Sequence, residues 1–231
     1  MPRVRTVLLD AGGVLLDLDY RFVQRLIAAR GCDADVATLQ ESEAHARTSI
    51  ERRVREGGRS SEAWRDYFRY LLSRVGADPG WTEEVIDVLW DAHHRVGLWT
   101  VAIDGAVETV RELRQAGYKV GVVSNAEGRV EQDLRSAGFD GLLETVVDSH
   151  VVGVEKPDPR IFAIALERLG AESSSSVFLG DVPAVDVEGA RGAGIAPILL
   201  DRHGLYPDAP APRLRTIAEL PAYLASLQPL E

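Results

Sequence analysis

The chain has 231 residues, 45% of them hydrophobic and 27% charged, with a formal net charge of −10 at pH 7. That length supplies one large domain, or a domain carrying a smaller insertion, with a core that needs no disulfide. The acidic balance argues against nucleic acid or an anionic membrane as the main partner; the single cysteine, Cys32, excludes an intramolecular disulfide and suits a reducing compartment. No apolar run approaches the ~20 residues of a membrane span. The N-terminus leads straight into a short strand without a secretory h-region, so the cytoplasm is the expected location.

In chain order, residues 4–9 read as a buried strand, rich in Val and Leu and followed by Ala11-Gly12-Gly13. Residues 20–95 are helical in pattern, with no convincing strand. Phe22, Leu26 and Ile27 share a helical face that stops at Gly31. A second helix is expected over 36–55, ending at Gly57-Gly58. A third starts near Ser60, with Trp64, Tyr67, Phe68, Leu71 and Leu72 on one face, and Ala77-Asp78-Pro79-Gly80 breaks it. A fourth runs over 83–96. From Asp104 the pattern changes to alternating helix and strand: strands at 119–123, 144–147, 176–179 and 196–200, helices at 107–116, 129–137, 159–169 and 185–193, and a terminal helix at 217–227. Repeated units of this length predict an α/β fold, a doubly wound parallel sheet with helices on both faces. The eighty helical residues after strand one predict an inserted all-helical unit, giving a core of residues 1–16 and 99–231 and an insertion of residues 17–98.

Four polar signals follow the strands. Asp10 ends the first, Ser124-Asn125 follow the strand at 119–123, Lys156-Pro157 come after the strand at 144–147, and Gly180-Asp181-Val182-Pro183-Ala184-Val185-Asp186 follow the strand at 176–179. In a parallel sheet these positions converge at the carboxyl edge, where ligands bind. A carboxylate placed there can attack phosphorus, and Gly12 and Gly13 let backbone N–H groups approach phosphoryl oxygens. Taken singly, Asp10 serves equally as a turn cap, Ser124 and Asn125 as caps of the next helix, and Asp186 as another cap. Lys156 is one of only two lysines; flanking prolines hold its loop, and its compact ammonium suits a place between a carboxylate and a phosphate. Asp181 beside Asp10 offers the carboxylates that Mg²⁺ takes.

Together these residues resemble the haloacid dehalogenase-like (HAD) hydrolase superfamily over essentially the whole chain, with the helical insertion placed as in its C1-capped members. The resemblance implies that Asp10 is the nucleophile and a Mg²⁺ ligand, and that the Gly12 carbonyl also faces Mg²⁺. It implies that Ala11, Gly12, Ser124, Asn125 and Lys156 bind the phosphoryl group, that Asp181 binds Mg²⁺, and that Asp186 supports the metal site. A Mg²⁺-dependent phosphatase of a small phosphorylated metabolite follows, with no nucleic acid or membrane partner, as a monomer or homodimer.

One departure matters. Relatives that act as phosphatases usually carry a second aspartate two residues after the nucleophile, though some, including sugar-phosphate phosphatases, resemble this chain in having glycine, and Gly12 stands there. Without a substitute, poor leaving groups should react slowly, since general acid–base help is worth ~10²–10⁴. Asp17, Asp19, His45, His93 and His94 are the candidate substitutes. Dehalogenases of the superfamily also lack that aspartate, but they usually lack the Asp181 and Asp186 acids, which favours the phosphoryl reading; a non-catalytic phosphate-binding role ranks last. The arginine-rich insertion is expected to aim one or two arginines at the cleft, and Tyr20, Trp64, Tyr67, Phe68 and Trp90 are expected to be packing residues.

Overall fold

A computed structural model describes residues 3–227, apart from the side chains of residues 60 and 61; residues 1–2 and 228–231 of the expected core lie outside it. Six strands form one parallel sheet in the order β5-β4-β1-β6-β7-β8: β1 (Thr6–Leu9), β4 (Lys119–Ser124), β5 (Thr145–Asp148), β6 (Ser176–Gly180), β7 (Ala196–Leu200) and β8 (Arg213–Leu214). The chain runs from β1 outward to β4 and β5, then crosses to β6, β7 and β8. That reversal leaves a crevice at the carboxyl end of β1.

All four β1 residues are buried, as in a sheet covered on both faces. Val7 and Leu9 join Val120, Val122, Val177 and Leu179 under α5 (Ala106–Gln115), α6 (Val130–Leu134) and α10 (Leu220–Ser226). Leu8, Val123, Val147 and Phe178 face α8 (Pro159–Leu169) on the other side. The period of two along each strand thus decides which helix layer each side chain meets.

Between β1 and β4 lie α1 (Tyr20–Ala28), α2 (Val36–Arg55), α3 (Trp64–Arg74) and α4 (Pro79–Val96), packed around a separate apolar cluster that includes Leu39, Phe68, Leu71 and Leu89. Aspartates start three of these helices: Asp19 accepts from the Phe22 N–H at 2.9 Å, Asp35 from Thr38 at 2.8 Å and Asp78 from Gly80 at 2.7 Å. Asp78 therefore begins α4 with Pro79 in its first turn, four residues before the expected start. Residues 20–95 contain no strand, as expected, and two short strands flank them. β2 (Leu16–Leu18) and β3 (Trp99–Ala102) pair antiparallel, and this ribbon joins the inserted helices to the sheet. Three- and four-residue strands are too short to show a period. Sequence reading also missed α7 (Ser149–Val152) and the two-residue β8. The helix expected at 185–193 is a π-helical turn, Pro183–Val187, followed by α9 (Glu188–Gly192). No described helix is long and apolar enough to cross a membrane.

Candidate active site

Asp10 follows β1 directly, and its N–H still donates to the Leu179 carbonyl of β6 at 2.9 Å. Its side chain is therefore aimed by the sheet. Ser124 is the last residue of β4, Lys156 lies between α7 and α8, and Asp181 follows β6. All four line a cavity of about 330 Å³, together with Asn125 and Asp186.

Lys156 is fully buried. Its Nζ lies 2.9 Å from Asp10 Oδ2 and 2.8 Å from Asp186 Oδ1. Burial works against the ammonium, but the two carboxylates outweigh it and hold its pKa above the ordinary lysine value. Burial, with Asp186 close by, raises Asp10 although Lys156 pulls the other way. One ammonium between two carboxylates leaves an excess negative charge.

Asp186 caps no ordinary helix. Its Oδ2 accepts the N–H groups of Asp181 and Val182, both at 2.9 Å, while Oδ1 meets Lys156. A Cβ at residue 180 would overlap that carboxyl group, so Gly180 is required by close approach. Asn125 lines the cavity, yet its amide grips the Lys156 backbone: Nδ2 donates to the carbonyl at 2.9 Å and Oδ1 accepts the N–H at 2.7 Å. Neither Ser124 nor Asn125 caps α6, whose first turn follows Arg129. The Ala11 N–H, expected to meet a phosphoryl oxygen, donates to Asp10 Oδ1 at 2.7 Å.

The inserted helices contribute the opposite wall. Arg47 of α2 pairs with Asp181 and lies 2.7 Å from Glu43. Burial alone would lower the arginine's pKa, but Glu43 reverses the shift and the guanidinium is held charged. Tyr67 donates to Glu43, and burial followed by that carboxylate pushes its phenol well above the ordinary value. Arg59 reaches Glu155 at 3.1 Å. Two arginines of the inserted helical region, Arg47 and Arg59, thus line the cavity, in line with expectation. Trp64 and Tyr67 pack in the apolar cluster of the inserted helices, as expected, and also border the cavity.

The site suits a hard cation. Asp10, Asp181 and Asp186 each bring a carboxylate oxygen within 4.8 Å of the others, an all-oxygen set of the kind Mg²⁺ prefers. Their three negative charges face only two positive ones, Lys156 and Arg47.

Residues 4–194 match the model of the haloacid dehalogenase-like hydrolase family. The chain belongs to that family. Haloacid dehalogenase-like hydrolase domain-containing protein 3 from Danio rerio is 31% identical to the hydrolase, with 96% of each chain covered. Glyceraldehyde 3-phosphate phosphatase from Methanopyrus kandleri is 32% identical over 62% of this chain and 60% of its own length. Phosphoserine phosphatase from Thermus thermophilus is 32% identical over 64% and 59%. The matches thus span about three fifths of those two phosphatases. Among solved structures, a dehalogenase shares the fold with a TM-score of 0.69 at 24% identity, covering 97% of this chain and 99% of its own.

The signals that sequence reading missed in this hydrolase are pairings across elements. Glu43, Glu127, Arg129 and Asp133 line the cavity. Glu43 and Asp133 lie within helices, where such residues read as a solvated face, and Glu127 and Arg129 lie in the loop between β4 and α6.

Proposed function

We propose that this hydrolase is a Mg²⁺-dependent phosphatase acting on a small phosphorylated metabolite through an aspartyl-phosphate on Asp10. One observation carries the reading: the Asp10 carboxylate lies 2.9 Å from the Lys156 ammonium, with the acidic groups of Asp181 and Asp186 beside it at the sheet edge. The two relatives named as phosphatases favour the same chemistry.

In this reading Asp10 attacks phosphorus, and Lys156 balances the charge that passes from the carboxylate to the transferring group. Ser124 and the backbone of Gly12 bind the phosphoryl oxygens, the Ala11 N–H holds Asp10 Oδ1, and Asn125 acts by holding Lys156 in place. Asp10, Asp181 and the Gly12 carbonyl would hold Mg²⁺, which supplies charge neutralisation at the phosphoryl group. Asp186, both oxygens engaged, supports that site from behind. Residues 17–98 act as a cap over the core of residues 1–16 and 99–231, excluding water.

The test is release of inorganic phosphate from p-nitrophenyl phosphate, with Mg²⁺ or with EDTA, by wild type and Asp10→Asn. Activity that requires both the ion and Asp10, falling by about 10³-fold or more in the variant, is the expected result. Equal rates for wild type and variant reject the reading, and halide release from a 2-haloacid then becomes the next assay.

A further inference from the structure

The leaving oxygen departs in line with the attack of Asp10, so the leaving group points away from the sheet edge, toward the inserted helices. Two features of that side limit what the leaving group is.

The first is the want of a proton donor. Gly12 has no side chain, and the residues that could stand in for one are committed elsewhere. Asp17 pairs with Arg202 at 2.7 Å, Asp19 caps α1, and His45 and His94 do not line the cavity. His93 turns its Nε2 to Glu127 at 2.7 Å, and its Nδ1 is buried. An alkyl alcohol leaves badly without a general acid, whose help is worth ~10²–10⁴. A phenol, which ionises near pH 10, leaves as the phenolate with far less need of one.

The second is the surface the leaving group meets. Trp64, Tyr67 and Trp99 line the cavity, together with Leu16, Ile50 and Val130. Trp99 is half-buried, and a Cβ on Gly12 would lie 3.5 Å from its Cδ1 and 3.7 Å from its Nε1. The indole therefore stands where a side chain two residues after the nucleophile would reach, and a group seated against Gly12 touches it. Tyr67 continues the aromatic surface, its ring centroid 5.9 Å from that of Trp99. The charges nearby are spent in pairs: Arg47 on Glu43 at 2.7 Å, Arg59 on Glu155 at 3.1 Å and Arg129 on Asp133 at 2.9 Å. His150 also lines the cavity, from an exposed position. A second ionic group on a substrate would have to break one of these pairs to be bound, and an uncharged ring breaks none.

On the phosphatase reading, we infer that the substrates of this hydrolase are aryl phosphates whose ring carries no charge, and that Trp99 is the residue that selects the ring. An Asp10 oxygen bonds to phosphorus, and the bond from phosphorus to the aryl oxygen breaks, its electron pair leaving on the phenolate. Water then bonds to phosphorus, and the bond to Asp10 breaks with its electron pair returning to the carboxylate. The proton that the water sheds equals the one the phenolate takes from solvent, so one aryl phosphate and one water become one phenol and one phosphate.

The test measures kcat/KM for phenyl, benzyl and acetyl phosphate with Mg²⁺, in wild type, Trp99→Leu and Trp99→Phe, against the Asp10→Asn background. Benzyl phosphate has the ring but an alcohol leaving group, and acetyl phosphate has a good leaving group but no ring. Wild type should favour phenyl over benzyl phosphate by about 10²-fold or more. Trp99→Leu should lose about 2–10-fold more on phenyl than on acetyl phosphate, and Trp99→Phe should recover most of that difference. A carboxyl group on the ring, as in 4-carboxyphenyl phosphate, should raise KM. Equal rates on phenyl and benzyl phosphate overturn the inference, and this comparison needs no variant to fold. Equal losses of Trp99→Leu on phenyl and acetyl phosphate overturn it too, as does a lower KM for the carboxylated ester. Phosphate release that is independent of Asp10 for all the esters defeats the phosphatase reading itself, and the inference with it.

Discussion

The two walls of the cavity are built on different terms. The sheet-edge wall consists of residues at or just after strand ends, and its charges interlock: Lys156 bridges Asp10 and Asp186, and Asp186 also caps two backbone N–H groups. The helical wall consists of side chains carried on three of the inserted helices, namely Arg47 of α2, Tyr67 of α3 and His93 of α4. The first wall is held by register and charge, so it is rigid and intolerant. The second is held by helix packing together with the network that joins Glu43 to Arg47 and Tyr67, and it follows no strand register.

That contrast can be broken most directly at Lys156. Lys156→Met leaves Asp10 and Asp186 buried without their shared cation, and should cost about 3–5 kcal/mol in urea denaturation at neutral pH. A loss below about 1 kcal/mol would mean that the sheet-edge charges are not interlocked. Arg47→Met tests the tie between the walls. The guanidinium keeps slight exposure and Glu43 keeps a second partner in Tyr67, so the expected cost is smaller, about 2–3 kcal/mol by the same measurement. Gly180→Ala sharpens the close-approach argument: the added methyl must push the Asp186 carboxyl aside, costing about 1–3 kcal/mol. A thermal melt unchanged from wild type would refute it.

The smallest effect lies on the helical wall and depends on pH. Burial, then Glu43, hold the Tyr67 phenol well above its ordinary value of 10.0. The unfolded chain ionises this group first, so its contribution is complete below about pH 10 and is lost as pH rises toward the folded value. Tyr67→Phe should cost about 1.5 kcal/mol near neutrality, the worth of a hydrogen bond to a charged group. Its stability should then fall less steeply than wild type above about pH 10. Parallel slopes for the two proteins would remove Tyr67 from the alkaline transition.

Much of the sheet-edge wall is legible in sequence. An apolar run ending in Asp10, and others ending near Ser124 and Asp181, mark strand ends, and parallel strands bring all such ends to one edge. Even there the partner choices were hidden. Asn125 reads as a ligand for phosphate and instead clamps Lys156, and Ala11 turns its N–H to Asp10. β2 and β3 escaped notice because strands of three and four residues carry no usable alternation, and β2 places the charged Asp17 in a ribbon where Arg202 neutralises it.

The sequence by itself determined the parallel sheet, the helical insertion and the convergence of Asp10, Ser124, Lys156 and Asp181. Strand period and strand order depend on local pattern, and the geometry of a parallel sheet does the rest. Only the tertiary structure decided that His93 meets Glu127 across 34 residues and that Arg47 reaches Asp181. Those contacts depend on how helices seat against the core, and that seating follows from the packing of many side chains at once, for which no local spacing stands as a sign.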